Sequence, residues 1–153
     1  MVATWKQIED EAAELAAAAQ RLFAWAKHGV GYLATVDATG RPRLAPVCPI
    51  AAADNLYLIV GAESPKAADL LRGSAIALHA PLGANDEEVC LSGKASLIVY
   101  AYERESVHRA ATFTFDPDDP VFRLEITSAF HAVWDKIGEP GAKRHTPSWH
   151  AAD

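Results

Sequence analysis

Apolar residues recur every three or four positions near the start of the chain: Trp5, Ile8, Ala12, Leu15, Ala19, Leu22 and Ala26 fall on one stripe. That spacing predicts one amphipathic helix over residues 4–28. Thr4 and Gln7 stand at capping-box spacing, and Gly29 after His28 suits a left-handed helix end. The texture then changes to short apolar runs separated by turn residues. VGYLATV (30–36), RPRLAPVCPIAA (41–52), LYLIVG (56–61), SAIALHA (74–80), VCLSGKASLIVY (89–100) and VFRLEITSAFHAVWD (121–135) read as six strands. Short helices are expected at 65–72 and in AYERESVHRAATF (101–113).

The second run carries Pro42, Pro46 and Pro49, which cannot donate to a ladder, so it belongs at an edge, at a bulge or beside a ligand. Gly93 interrupts the fifth run, as in a strand that bends around a barrel. Short turns between strands imply an antiparallel sheet, and bent strands of this number close most easily as a small barrel. The last stretch, 136–153, has no periodicity and reads as a loop or an extended arm. It is nevertheless aromatic, and Trp149 is expected to pack on the barrel.

The chain has 153 residues, half of them hydrophobic, which suits a single domain with a real core. Its net charge of −6 argues against nucleic acid or an anionic membrane as the main partner. No apolar run is long enough for a bilayer, and the acidic N-terminus lacks the pattern of a signal peptide. Cys48 and Cys90 form no CxxC pair and read as small buried strand residues, so a reducing cytoplasm is the expected location. There is no Walker loop, GxGxxG or GxSxG. The histidines do not take zinc-ligand spacings, so no metal site is expected, and His79 reads as a hydrogen-bonded strand histidine. No catalytic residue is identified.

One stretch carries candidate chemistry. In GAESPKAADLLRG (61–73), Ser64 is a good N-cap, Pro65 fits the first helical position, and Lys66 adds a positive charge beside backbone donors. Two readings stay open: a capped helix with a solvated lysine, or the end of an anion site.

The ordered set is a strand, DATGRP, a proline-rich strand, a strand, Ser-x-Lys at a helix start, a strand, and SGKA inside a long strand. It resembles the pyridoxamine 5′-phosphate oxidase-like flavin-binding split barrels over about residues 29–135. The resemblance implies a mainly β fold, a six-stranded antiparallel split β-barrel (29–135) behind a long N-terminal helix (4–28), with a C-terminal arm (136–153). It implies a homodimer holding flavin mononucleotide (FMN) at the interface and acting on a small-molecule substrate. By position, the backbone of Ala45, Pro46, Val47, Cys48, Pro49 and Ile50 runs along the flavin, and Ile59 and Val60 end the next strand beside it. Ser64 and Lys66 grip the phosphate. Glu88 matches a polar residue from the other subunit, Trp134 an aromatic near the ring, and Arg144 a basic residue near the substrate.

The departures are specific. Pro65 stands where the family often has Arg, and Ala45 and Ile50 stand where it often has basic residues. Arg41 or Arg43 is available to compensate, with the side-chain direction open. The tail reads PGAKR (140–144) instead of the Arg-x-His-x-Arg run with which true pyridoxamine phosphate oxidases grip their substrate, so that reaction is not expected. The resemblance implies a flavin-dependent oxidoreductase of unassigned substrate. The alternatives are a deazaflavin-dependent reductase, or a non-catalytic flavin- or haem-binding protein with His79 or His131 as iron ligand.

Overall fold

The computed structural model describes residues 2–152. The helices are α1 (Trp5–Glu11), α2 (Ala13–Phe23), α3 (Pro65–Leu71) and α4 (Ala101–Ala110). The strands are β1 (Gly31–Val36), β2 (Pro42–Val47), β3 (Ile50–Ala52), β4 (Asn55–Ile59), β5 (Ile76–His79), β6 (Glu88–Leu97), β7 (Val121–Asp135), β8 (Lys143–His145) and β9 (Ser148–His150). Antiparallel pairing runs in the order β2-β1-β5-β6-β7-β4-β3, and β8 and β9 add to the free side of β7. The sheet curls into a split barrel.

The split is made by the proline-rich stretch, which is two strands where the sequence pattern predicts one. β2 and β3 are separated only by Cys48-Pro49, yet they lie at opposite ends of the sheet order. Prolines are tolerated there because both strands are edges. The bend falls where β2 leaves β1 and the chain crosses to pair with β4.

Alternation writes the core. Leu33, Leu78, Leu91, Ala129 and Trp149 are lateral neighbours from β1 to β9, and none is more than 7% exposed. One position along, Pro46, Tyr32, His79, Cys90, Phe130 and Ser148 form the matching outer row, none of it fully buried. Trp149 thus completes an inner row, and its Nε1 donates to Glu11 Oε2 at 2.8 Å. The arm expected to lack regular structure is a strand pair here, because the unpaired edge of β7 offers it a ladder.

The predicted N-terminal helix is broken at Ala12, whose φ of −140° and ψ of 57° are not helical, and it ends at Phe23. A straight helix over 4–28 would run roughly 36 Å, too long to follow a curled sheet. The break lets α1 pack near β4 and α2 near β6. The Thr4–Gln7 capping box forms as expected. Beyond α2 the chain reverses: the Phe23 carbonyl accepts from Val30 N at 2.8 Å, and Gly29 takes the left-handed φ of 77° that this reversal needs.

Gly93 marks a register shift between β6 and β7. A β-carbon there would overlap the Glu125 carbonyl oxygen, so the close approach that bends the strand requires glycine. A smaller core of Ile50, Tyr57, Ile98, Val107 and Val121 lies under α4. Tyr57, fully buried, donates to Glu103 Oε1 at 2.8 Å; burial and that carboxylate push its hydroxyl up to about 12.

Candidate functional site

The Ser64-Pro65-Lys66 loop follows β4 and opens α3. Ser64 Oγ accepts from Ala67 N at 3.3 Å and donates to the Gly61 carbonyl at 2.7 Å, so its hydroxyl is committed to capping. Lys66 is half-buried and makes no hydrogen bond or ion pair to any described residue. β3 starts at Ile50 opposite Tyr57, so by continuation of the register Cys48-Pro49 passes the Ile59 end of β4. The structure therefore brings the 48–50 crossing, Ile59 and Val60 to one side of the barrel.

One turn beyond Lys66 lies a charged cluster that the sequence reading missed. Asp69 is 1% exposed. Thr35 Oγ1 donates to it at 2.7 Å, Arg43 Nε at 2.8 Å and Arg72 Nη2 at 3.0 Å. Burial pushes the Asp69 carboxyl up, but these three donors outweigh it and hold the group at about 2. The signal was an aspartate between Ala67 and Leu70 on the buried side of a short helix. A buried acid needs a cation, and Arg43 is on the inward face of β2 with Ala45 and Val47.

Glu88, Trp134 and Arg144 gather elsewhere. Arg144 on β8 is opposite Trp134 on β7 and pairs with Glu88 Oε1. Arg144 also lies over the Phe130 ring, 5.9 Å from its centroid. His79 Nε2 is 3.3 Å from Glu88 Oε2, while its Nδ1 is 2.6 Å from the Ala80 carbonyl. Glu87, pointing the other way, accepts from Arg21 at 2.6 Å and bonds His131 Nε2 at 3.2 Å. Burial pushes the Glu87 carboxyl up, and Arg21 and His131 more than reverse that and hold it below its ordinary value. The sequence reading anticipated Glu88 and Arg144 separately but not that they pair.

The two groups lie far apart in one chain. Ile59 pairs with Val121 at the start of β7, whereas Glu88 pairs with Ala132 near its end. Eleven residues amount to about 35 Å of chain along this curved strand, an upper limit on the straight separation. Cys48 and Cys90 are both partly buried, and burial pushes both thiols up, which makes them poor nucleophiles.

A family model described as pyridoxamine 5′-phosphate oxidase matches residues 9–131. The chain belongs to this family. Among solved structures, a pyridoxamine 5′-phosphate oxidase-related, FMN-binding protein from Nostoc punctiforme superposes with a TM-score of 0.61 at 13% identity, covering 93% of this chain and 96% of that one. A NimC/NimA family protein from Clostridium acetobutylicum gives 0.63 at 16% identity, covering 95% of each. A heme-binding protein from Mycobacterium smegmatis gives 0.60 at 22% identity; the match covers 88% of this chain but only 57% of that one. At these identities the likeness is one of fold. No curated protein matches the sequence. The pyridoxamine 5′-phosphate oxidase-related protein thus shares this chain's curled antiparallel sheet, and the family match ends at His131, before the two tail strands. Among the described residues no helix is long and apolar enough to cross a membrane.

Proposed function

We propose that this chain binds FMN and serves as a flavin-dependent oxidoreductase for a small molecule, as a homodimer. The observation that carries the reading is Lys66: a half-buried cation with no partner among the described residues, on a loop that follows β4. A lysine in that setting suits a phosphate, since a charge-assisted bond there satisfies an ammonium that nothing else neutralises. The residues present fit FMN at its phosphate end. The backbone of 45–50 and the ends at Ile59 and Val60 would line the ring and ribityl chain. When bound, FMN supplies the hydride or electron transfer. The chain's part is to hold it, orient it and keep water away.

The dimer is supported by the separation of the site residues. In such a dimer Glu88, Trp134 and Arg144 would come to a flavin beside Lys66 from the second copy. The outer sheet face suits such contact, with Tyr32 42% and Leu44 71% exposed. Sedimentation equilibrium at micromolar concentration should give twice the chain mass, and a clean monomer would remove the shared site. The haem alternative is less well supported. Both nitrogens of His79 and Nε2 of His131 are engaged by protein groups, so an iron would have to break a bond at each engaged atom.

Absorbance of the purified protein is the first test: flavin bands, a single deazaflavin band or a Soret band separate the readings. Titration of FMN and riboflavin into the parent and into Lys66→Ala is the second. The parent should prefer FMN, and Lys66→Ala should lose ~1.5–3 kcal/mol of FMN affinity, about ten- to a hundredfold, with riboflavin little affected. Equal binding of both flavins, or of neither, by the parent would leave the loop as a capped helix only.

A further inference from the structure

The cluster around Asp69 holds more positive charge than a buried carboxylate needs. One cation neutralises it, and Arg72 is committed there: its Nη2 also donates to the Val36 carbonyl at 3.1 Å. Arg43 makes a second contact with the same carboxylate, through Nε alone. Its two terminal amino groups have no hydrogen-bond partner among the described residues, and its side chain is 36% exposed. The contact fixes the direction of the guanidinium and leaves its strongest donor edge unused.

Arg43 is two residues before Ala45 on β2 and so faces the same way. Lys66 is three residues before Asp69 on α3, a spacing that puts them side by side on a helix. Arg43 and Arg72 share the Asp69 carboxylate, Asp37 adds a second, more distant anion to Arg43, and Lys66 has no partner among the described residues, so positive charge is left over here in a chain of net charge −6. A phosphate monoester carries close to two negative charges at neutral pH.

We infer that Arg43, aimed by Asp69, joins Lys66 in holding the FMN phosphate, and that Asp69 is the positioning residue for this selectivity. The inference rests on the FMN reading above. It assigns the missing positive charge of Ala45 and Pro65 to a residue one step away on the same strand face. Arg72, pinned to the Val36 carbonyl, is the structural partner that keeps Asp69 ionised.

The test is the ratio of riboflavin to FMN dissociation constants, from quenching of flavin fluorescence on titration into the full chain, with a thermal melt of each variant. Arg43→Ala should cut the preference for FMN about tenfold, the usual worth of one charge-assisted contact. Arg43→Lys should restore part of it. Asp69→Asn, a near-isostere, should cut the preference severalfold although it touches no phosphate, an effect a purely structural role would not produce. Arg72→Ala should lower the melting temperature and leave the ratio within about twofold. A parent that prefers FMN together with an unchanged ratio in both Arg43 variants overturns the inference and leaves the FMN reading standing. A parent that binds both flavins equally, or neither, overturns both. Should Asp69→Asn fail to fold, the two Arg43 variants decide the matter alone.

Discussion

At the α3 end of the barrel two arginines share one carboxylate beside Lys66; at the tail end Glu87 and Glu88 are each matched. Glu87 faces Arg21 and His131, and Glu88 faces Arg144 and His79. Glu88 opens β6 and Glu87 directly precedes it, and the two side chains point to opposite faces. One fastens α2 and the other fastens β8. These charges are occupied in holding pieces of the fold together. At α3 the arrangement differs: among the described residues Lys66 has no partner, and Arg43 is held by one edge only. Both regions are rich in charge, but the half-buried cation and the unused guanidinium edge are both at α3. Surplus, more than charge itself, marks where a ligand fits.

The largest expected effect falls on both regions at once. Gly93 sits at the bulge between β6 and β7, which connects the tail end to the α3 end. Gly93→Ala drives a methyl group into the Glu125 carbonyl, so the strands must part or lose the bend. The expected loss is about 3–4 kcal/mol, among the larger effects of a single substitution, with a melting temperature roughly 10 °C lower. Calorimetry of the variant checks it. A melt within 2 °C of the parent would mean that the bulge is dispensable and that the two ends do not depend on it.

Next is the buried carboxylate. Asp69→Ala leaves Arg43 and Arg72 without their shared partner and should cost about 3 kcal/mol, the lower end for breaking a buried pair. The pH dependence has a definite sign. Asp69 is held at about 2 in the folded chain, below the 3.8 of an ordinary aspartate. Between those values the unfolded chain binds the proton and the folded chain does not, so the stabilisation is full above about pH 4 and drains away as pH falls toward 2. Asp69→Asn should flatten this part of the acid-unfolding curve. If parent and variant fall off in parallel between pH 4 and 2, Asp69 is not the group responsible.

The strands were legible because alternation and turn residues report on a sheet with one buried face. β7 runs over the predicted 121–135, and the Ser64 cap sits where expected. Less legible were features set by contact between distant segments. Nothing in the stripe from Trp5 to Ala26 reveals that the helix breaks at Ala12, since the cause is the curvature of the sheet beneath it. The tail gave no period because β8 and β9 are three residues each, too short to show one. For the candidate site, motif order named Lys66, Glu88 and Arg144 but said nothing of their partners. The Asp69–Arg43 pair joins residues 26 apart in sequence, and alternation alone does not choose an arginine's partner.

The smallest expected effect sharpens the contrast from the other side. Arg144 pairs with Glu88 at the surface, with side chains 42% and 21% exposed. A pair this open exchanges hydration for attraction at nearly even terms, and salt screens what remains. Arg144→Ala should therefore cost no more than ~1 kcal/mol, and the difference from the parent should shrink further at 1 M salt. Stacking over Phe130 adds little for so exposed a cation. Chemical denaturation with urea, which adds no ionic strength, measures the difference at low and high salt. A loss equal to that of Asp69→Ala, unchanged by salt, would show that the tail-end pair is as buried in its energetics as the one under α3, and the distinction between occupied and surplus charge would fail. A small, salt-sensitive loss would leave Arg144 as a latch that opens at little cost, so that a ligand's anion can compete with Glu88 for it.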